Sequence, residues 1–475
     1  MACLHRAWFG FALALPLCAW GAAPSAQAQT TWTVDDNGGQ DFVHIQDAVD
    51  AAQPGDVIWV HAGAYAAFVI DGKPLVVRTV GTPVEVAGMV VVRNTPAGSQ
   101  VEIDGLAIGA THMVDGEPAI RLEDNPGSVR LIDCELSGID GGCGYCGYPG
   151  YPGCGPFTER ALSVRNSLET ILLRCSFVGG RAAHSYAYYY GYYCPERTGA
   201  DAVTVSDSIV SFFECSAQGG YGSNGAWEEC SYGGDGGHGV LVGPNSTFFA
   251  DRSTFTGSPG GTPGCDGVFP FQCCGSSGRF GASVELDATS SGTWKDTTFA
   301  TPPAGAGTPL PEVFMSPFCF GTYEECPCGN AGVGVAGCEN SAGTGGALLR
   351  ATGWPSVGND TVTLVVSGLN PNANPTGLFF QGTLRQNNGF GTVLNDGLLC
   401  AAGTIVRLKG KTSINGSSVY GFNSSDNDAP ISVRGQVPLG GGTRTYQFWY
   451  RNQPAMFCPP AQFNMSNGVE IVWVP

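Results

Sequence analysis

The sequence predicts an all-β protein, a stacked β-solenoid followed by a β-sandwich, and three observations carry that expectation. Five segments spaced about forty residues apart repeat one pattern of period-2 alternation, ending at Cys134, Cys175, Cys215, Ser253 and Thr297. Glycine supplies 72 of 475 residues, roughly twice the usual ~7% share, and only 13% of residues are charged. The last third changes to short apolar runs separated by Asn, Gly and Pro. With 43% hydrophobic residues the chain has the apolar content of a folded protein, and glycine without a three-residue period excludes collagen. A net charge of −18, from 22 basic and 40 acidic residues, argues against a nucleic-acid partner.

In chain order, residues 1–28 read as a secretory signal peptide: a basic start at Arg6, an apolar stretch from Ala7 to Ala19, and Ala26-Gln27-Ala28 as a small-x-small cleavage signal. No later stretch is apolar enough to span a membrane. Thr31 to Val34 reads as a strand. Phe42, Ile45, Val49 and Ala52 share one face of a short helix that ends before Pro54-Gly55, and Val57 to Val60 resumes the sheet. Within the repeats, Ile120 and Leu122, Leu162 and Val164, Val203 and Val205, Val240 and Val242, and Val284 and Leu286 fall on one face. No unit buries that face alone, whereas stacking units at ~4.8 Å buries it continuously. A helix over the first coil shields the open edge.

The string Asp41-Phe42-x-x-Ile45-Gln46-x-Ala48-Val49-x-Ala51-Ala52-x-x-Gly55-Asp56-x-Ile58-x-Val60-x-x-Gly63-x-Tyr65 resembles the cap and first coil of right-handed parallel β-helix proteins of the pectin lyase-like superfamily. The resemblance extends over residues 30–300 and implies that fold for 29–300. It also implies where chemistry would sit, since catalytic members use acids for metal binding or proton transfer and a Lys or Arg beside them. The outward column before the repeat anchors, Asp133, Arg174, Glu214, Arg252 and Asp296, supplies both types, with Asp133, Arg174 and Glu214 as catalytic candidates. Its alternating signs equally predict a ladder of ion pairs worth about 0.2–1 kcal/mol each. The motifs of known activities are missing: Ala67 stands where an esterase-like Gly-x-Tyr-x-Glu needs its acid, and no lyase or polygalacturonase string is present. Asp35 to Asp41 is a possible Ca²⁺ loop or a polar turn, so no cofactor is assigned beyond that possibility of Ca.

Residues 301–318 read as a Pro/Gly linker, and 319–475 as the sandwich, with strands expected at Thr361–Val366, Gly377–Gln381, Thr404–Leu408, Ile431–Gln436, Thr445–Tyr450 and Val469–Val474. Cys319, Cys326, Cys328 and Cys338 form a hub, leaving Cys400 and Cys458 to pair across the sandwich as a disulfide. The strings Cys326-Pro-Cys328-Gly-Asn330, Phe379-Phe-Gln-Gly382 and Asp396-Gly-Leu-Leu-Cys400 resemble a C-terminal module recurring in secreted bacterial proteins.

Four Gly-rich inserts, at 141–160, 179–201, 219–238 and 257–281, interrupt successive coils at the same point and project from one side. They hold eight cysteines, an even set, so the odd thiol falls among Cys134, Cys175 and Cys215, all three expected reduced inside the solenoid. They also hold Tyr186, Tyr188, Tyr190, Tyr192, Trp227 and Tyr232, rigid aromatic groups suited to binding or simply to packing the inserts together. The expectation is a secreted or cell-surface monomer that binds an extracellular polysaccharide or surface component without catalysis. The rival is a polysaccharide lyase or glycoside hydrolase acting on acidic glycans.

Overall fold

A computed structural model describes residues 29–109, 117–141, 158–182, 198–225, 232–263, 276–305, 313–453, 457–459 and 462–475. The alternating residues of the repeats come out in register. Ile120 pairs with Leu162, Leu162 with Val203, Val203 with Val240 and Val240 with Val284, all in parallel strands. These side chains are at most 4% exposed and line one continuous core. Leu122, Val164, Val205, Val242 and Leu286 make the second inward row. Phe177, Phe212, Phe248 and Phe255 fill the interior with ring centroids 5.2–6.2 Å apart.

Each coil has three strands, one more than the repeats show. The third is only three residues long, as in Glu135–Ser137, Ser176–Val178, Ser216–Gln218 and Thr254–Thr256, too short for alternation to announce it. Two columns of non-glycine residues turn the corners in the left-handed region. One is Asp124, Asn166, Asp207 and Asn245, and the other is Asp133, Arg174, Glu214, Arg252 and Asp296. Just beyond the second corner, side chains tie successive coils together: the Cys175 amide donates to Cys215 Sγ, the Cys215 amide to Ser253 Oγ and the Ser253 amide to Thr297 Oγ1. Cys134, Cys175 and Cys215 are free and buried, as expected.

Both ends of the rod are closed. Helix Ile45–Ala51 covers the first, with Ile45, Ala48 and Val49 buried, and Lys73 Nζ donates to the carbonyls of Val49, Asp50 and Ala52 at its C-terminus. The other end is closed by part of the segment expected to be a linker. Ala304–Gly305 adds a strand beside Val284–Leu286, the Val313 amide donates to the Trp294 carbonyl, and Met315–Phe318 pairs with Gly468–Trp473 of the C-terminal unit.

In that unit, antiparallel strands run in the order Met315–Phe318, Gly468–Trp473, Gly442–Arg451, Thr376–Gly382 and Val406–Thr412. A second sheet of Leu348–Thr352, Thr363–Ser367 and Ser418–Gly421 shares its core, Leu349, Leu364 and Tyr420 packing with Phe379, Phe448 and Trp473. The strand expected at Ile431–Gln436 is instead a helical turn, Ile431–Arg434, begun by Pro430 and ended at Gly435. Asp360 Oδ2 accepts from the Ser432 amide at its start, a cap from a distant residue that local β-propensity does not register. The disulfide expected between Cys400 and Cys458 is not formed. Cys400 bonds Cys319 and Cys458 bonds Cys328, with Cys326–Cys338 as the third bridge. The hub therefore lies over the sandwich and is stapled to it, where cysteine parity had separated the two.

Candidate functional site

The catalytic candidates from the sequence lie where the C-terminal unit docks. Arg174 holds both Asp133 carboxylate oxygens at 2.7 Å, and its guanidinium lies over the Phe390 ring, 4.6 Å from the centroid. The alternating ladder stops there, because Arg252 reaches instead to Glu470 at 3.2 Å and Asp296 meets Lys295. Arg174 and Glu214 line a cleft with Asp251, Thr322, Glu325, Arg385, Phe318 and Phe390 that has a volume of about 40 Å³.

The docking face is the outer side of the second strand of each coil, and its chemistry is layered. At one end Arg130, fully buried, pairs with Glu102 at 2.8 Å and donates to the Gly321 and Gly334 carbonyls of the hub. In the middle Ile171 and Phe213 pack on Phe320, the two rings 4.8 Å apart. At the other end Lys295, 1% exposed, sits 2.7 Å from Glu470, which also accepts from Arg385. Asp251 accepts from Ser316 Oγ and Arg385. Burial opposes the Glu470 charge, but Arg385 and Lys295 overcome it and hold the carboxyl at about 2.

The outer side of the first strands is open. Arg121, Ser163, Thr204 and Leu241 form one row across successive coils, and Glu123, Arg165 and Ser206 the next. With Arg160 at the lip they line a groove of about 560 Å³. Arg165 is 3.1 Å from Glu123, and Arg160 donates to Thr204 Oγ1 at 3.2 Å. Three guanidinium groups thus meet in one groove of a chain with 22 basic residues against 40 acidic ones. Further along the rod, His238 Nδ1 accepts from the Ala282 amide at 2.8 Å, which places the ring proton on Nε2, facing Glu285 at 3.0 Å. Engaged on both sides, this imidazole serves the coil stack.

Of the aromatic residues expected to bind, Tyr186, Tyr188, Tyr190, Tyr192 and Trp227 lie outside the described residues, as do the eight insert cysteines. Tyr232 is 53% exposed, and Tyr221, at 41%, has Arg181 over its ring. The bases of the inserts are described, and they form a stack of glycines. Backbone hydrogen bonds zigzag between outgoing and returning limbs: Gly281 to Ser258, Ser258 to Gly237, Gly237 to Gly220, Gly220 to Ala200, Ala200 to Gly180, Gly180 to Glu159 and Glu159 to Ile139, amide to carbonyl each time. A Cβ added at Gly138, Gly180 or Gly220 would lie 1.7–1.8 Å from a neighbouring carbonyl oxygen. The stack stands beside the first-strand groove, since each returning limb runs directly into a first strand.

At the Asp35–Asp41 turn the carboxylates are engaged by the chain: Asp35 accepts from the Asn37 amide, Asp36 from the Ala64 amide and Asp41 from the Thr33 amide and hydroxyl. No cluster of three metal-ligating side chains occurs among the described residues. No family description matches the chain, and no curated protein matches its sequence.

Proposed function

We propose that this is a secreted β-helix protein, akin to the pectin lyase-like superfamily, that binds an extracellular polysaccharide along its first-strand face without cleaving it. The observation that carries the reading is the open groove of about 560 Å³ with Arg121, Arg160 and Arg165 on its walls. One side of the solenoid is covered by the C-terminal unit, and this side offers the hydroxyls of Ser163, Thr204 and Ser206 in successive coils, with Arg121, Arg160 and Arg165 among them beside Glu123 and Glu159. Such an array suits a linear polymer with carboxylate or sulfate groups. The described bases of the Tyr-bearing inserts stand beside the same groove. The signal-like N-terminus and the three disulfides among the described residues support an extracellular setting, and no described helix is long and apolar enough to cross a membrane.

The test is retention on immobilised neutral and acidic polysaccharides, combined with an assay for new reducing or unsaturated ends. Wild-type protein should be retained by an acidic member and release nothing. Arg121→Ala with Arg165→Ala should weaken retention tenfold or more at an unchanged melting temperature. Equal retention of the double variant, or release of ends, overturns the reading.

A further inference from the structure

At the far end of the docking face the buried acids Glu470 and Asp251 are matched by Lys295 and Arg385, but along the seam between the hub and the coils acids outnumber the cations that face them. The coils bring Glu102, Asp104, Asp133, Glu135 and Glu214 to this seam, and the hub brings Glu324 and Glu325. The cations facing them are Arg78, Arg130 and Arg174, with Arg385 at the edge of the cleft, where Glu470 and Asp251 already hold it. Arg130 is taken by Glu102, Arg174 by Asp133, and Arg78 by Glu324. Two acids are left poorly served. Asp104, 9% exposed, has only the Arg78 Nε at 3.7 Å. Glu325 has a buried Oε2 with no hydrogen-bond partner and shares its cleft with Glu214 and Asp251.

We propose that docking of the Cys-rich hub on the solenoid is a proton-operated latch, closed while Asp104 and Glu325 hold their protons and loosened as they ionise. A protonated carboxyl removes one negative charge from a seam with an excess of them, and its hydroxyl becomes a donor for neighbouring oxygens. Burial pushes the Asp104 carboxyl up to about 7; Arg78 opposes this, and Asp133, Glu324 and Glu102 add to it. Burial likewise pushes Glu325 up to about 6 against Arg174, with Glu324 and Glu102 reinforcing it. Both groups sit above the ordinary carboxylate range, so the docked seam retains protons that a separated seam releases. Docking is therefore strongest in acid and weakens as pH rises through 6 to 7. For Asp104 alone, an ordinary value of ~3.9 when undocked makes the docked-to-undocked ratio fall roughly 50-fold between about pH 5 and pH 7. At the far end of the docking face the Glu470 carboxyl stays ionised down to about 2, so its contacts with Lys295 and Arg385 act as the fixed end about which the seam opens.

Two amides report the seam directly: Tyr323 N–H donates to Glu102 Oε1, and Gly334 N–H donates to Gln100 Oε1. Hydrogen-exchange protection, corrected for the intrinsic pH dependence of exchange, is measured at these amides from pH 5 to 8, with the Val164 amide inside the solenoid as reference. In the wild type the two seam amides should lose tens-fold protection while Val164 changes little. Asp104→Asn with Glu325→Gln mimics the protonated seam and should keep protection within threefold across the range. A flat wild-type profile overturns the latch, and so does an equal loss in the double variant. If the double variant fails to fold, the wild-type profile alone still decides.

Discussion

Replacing Gly220 by Ala tests what the glycines of the insert bases do. No φ in the left-handed region distinguishes Gly220, so a turn is not the reason for glycine here. The added Cβ would stand 1.8 Å from the Gly180 carbonyl oxygen and 2.6 Å from its carbon. A carbon–oxygen contact needs about 3.3 Å, so the two backbones must part by about 1.5 Å. Gly220 also donates to the Ala200 carbonyl at 2.7 Å and accepts from the Gly237 amide at 2.8 Å, and that displacement breaks both bonds. Overpacking costs about 1–3 kcal/mol and each lost bond about 1 kcal/mol, giving roughly 3–5 kcal/mol in all. Gly98→Ala is the counterpart, because Gly98 has φ +75° with nothing within 4 Å of an added Cβ. It should cost only the left-handed penalty of about 1–2 kcal/mol. Thermal and denaturant unfolding of the two variants measure the difference. If Gly220→Ala costs no more than Gly98→Ala, the glycine stack is not a close-packed structure and the reasoning fails.

Cys134, Cys175 and Cys215 should resist alkylation in the native protein and react after denaturation, as read by peptide mapping. The Cys134 thiol is pushed well above its usual value by contact with Cys175 and by burial, and the Cys175 thiol chiefly by burial. Labelling of these thiols in the native protein contradicts this. Lys295→Met leaves Glu470 and Asp251 with Arg385 as their shared buried cation, and should destabilise docking by about 3–5 kcal/mol. Because the Glu470 carboxyl is held at about 2 in the folded protein, its stabilisation is complete above the ordinary ~4.3 and is lost as pH falls toward 2. Acid unfolding followed by circular dichroism should therefore begin at higher pH in Lys295→Met than in the wild type.

The inward rows of the solenoid were legible because alternation with period 2 has one physical meaning when it recurs at a fixed spacing. The docking face was written less openly. In the second strands the alternation fails, Leu131-Ile132, Leu172-Leu173 and Phe212-Phe213 being apolar on both faces, which marks a sheet covered on both sides. That signal says only that something covers the outer face. The cover is a hub about 190 residues further along, where the Arg130 guanidinium meets the Gly321 carbonyl, and no local pattern links the two. Cysteine parity failed for a related reason: an even count permits hub and sandwich to be closed sets without requiring it, and chain packing chose Cys319–Cys400 and Cys328–Cys458. The charged column before the repeat anchors was seen, but as an ion-pair ladder or a catalytic row, because nothing in its residues reveals the φ they adopt.

That φ gives the column its meaning. Left-handed residues turn two corners of successive coils, and the two corners meet that requirement differently. At the first, Asp124, Asn166, Asp207 and Asn245 are the types that enter this region most easily, and they bond one another, Asn166 Nδ2 to Asp124 and Asn245 Nδ2 to Asp207. At the second, Arg174, Glu214 and Arg252 adopt φ of 55°, 56° and 51° without that advantage. These positions face the C-terminal unit: Arg174, besides pairing with Asp133, lies over Phe390, Arg252 reaches Glu470, and Glu214 lines the cleft between them. Asp133 and Asp296, at the ends of the column, return to the type favoured at the first corner. The positions where Asn and Asp give way to Arg and Glu are therefore the positions where docking outweighs backbone preference.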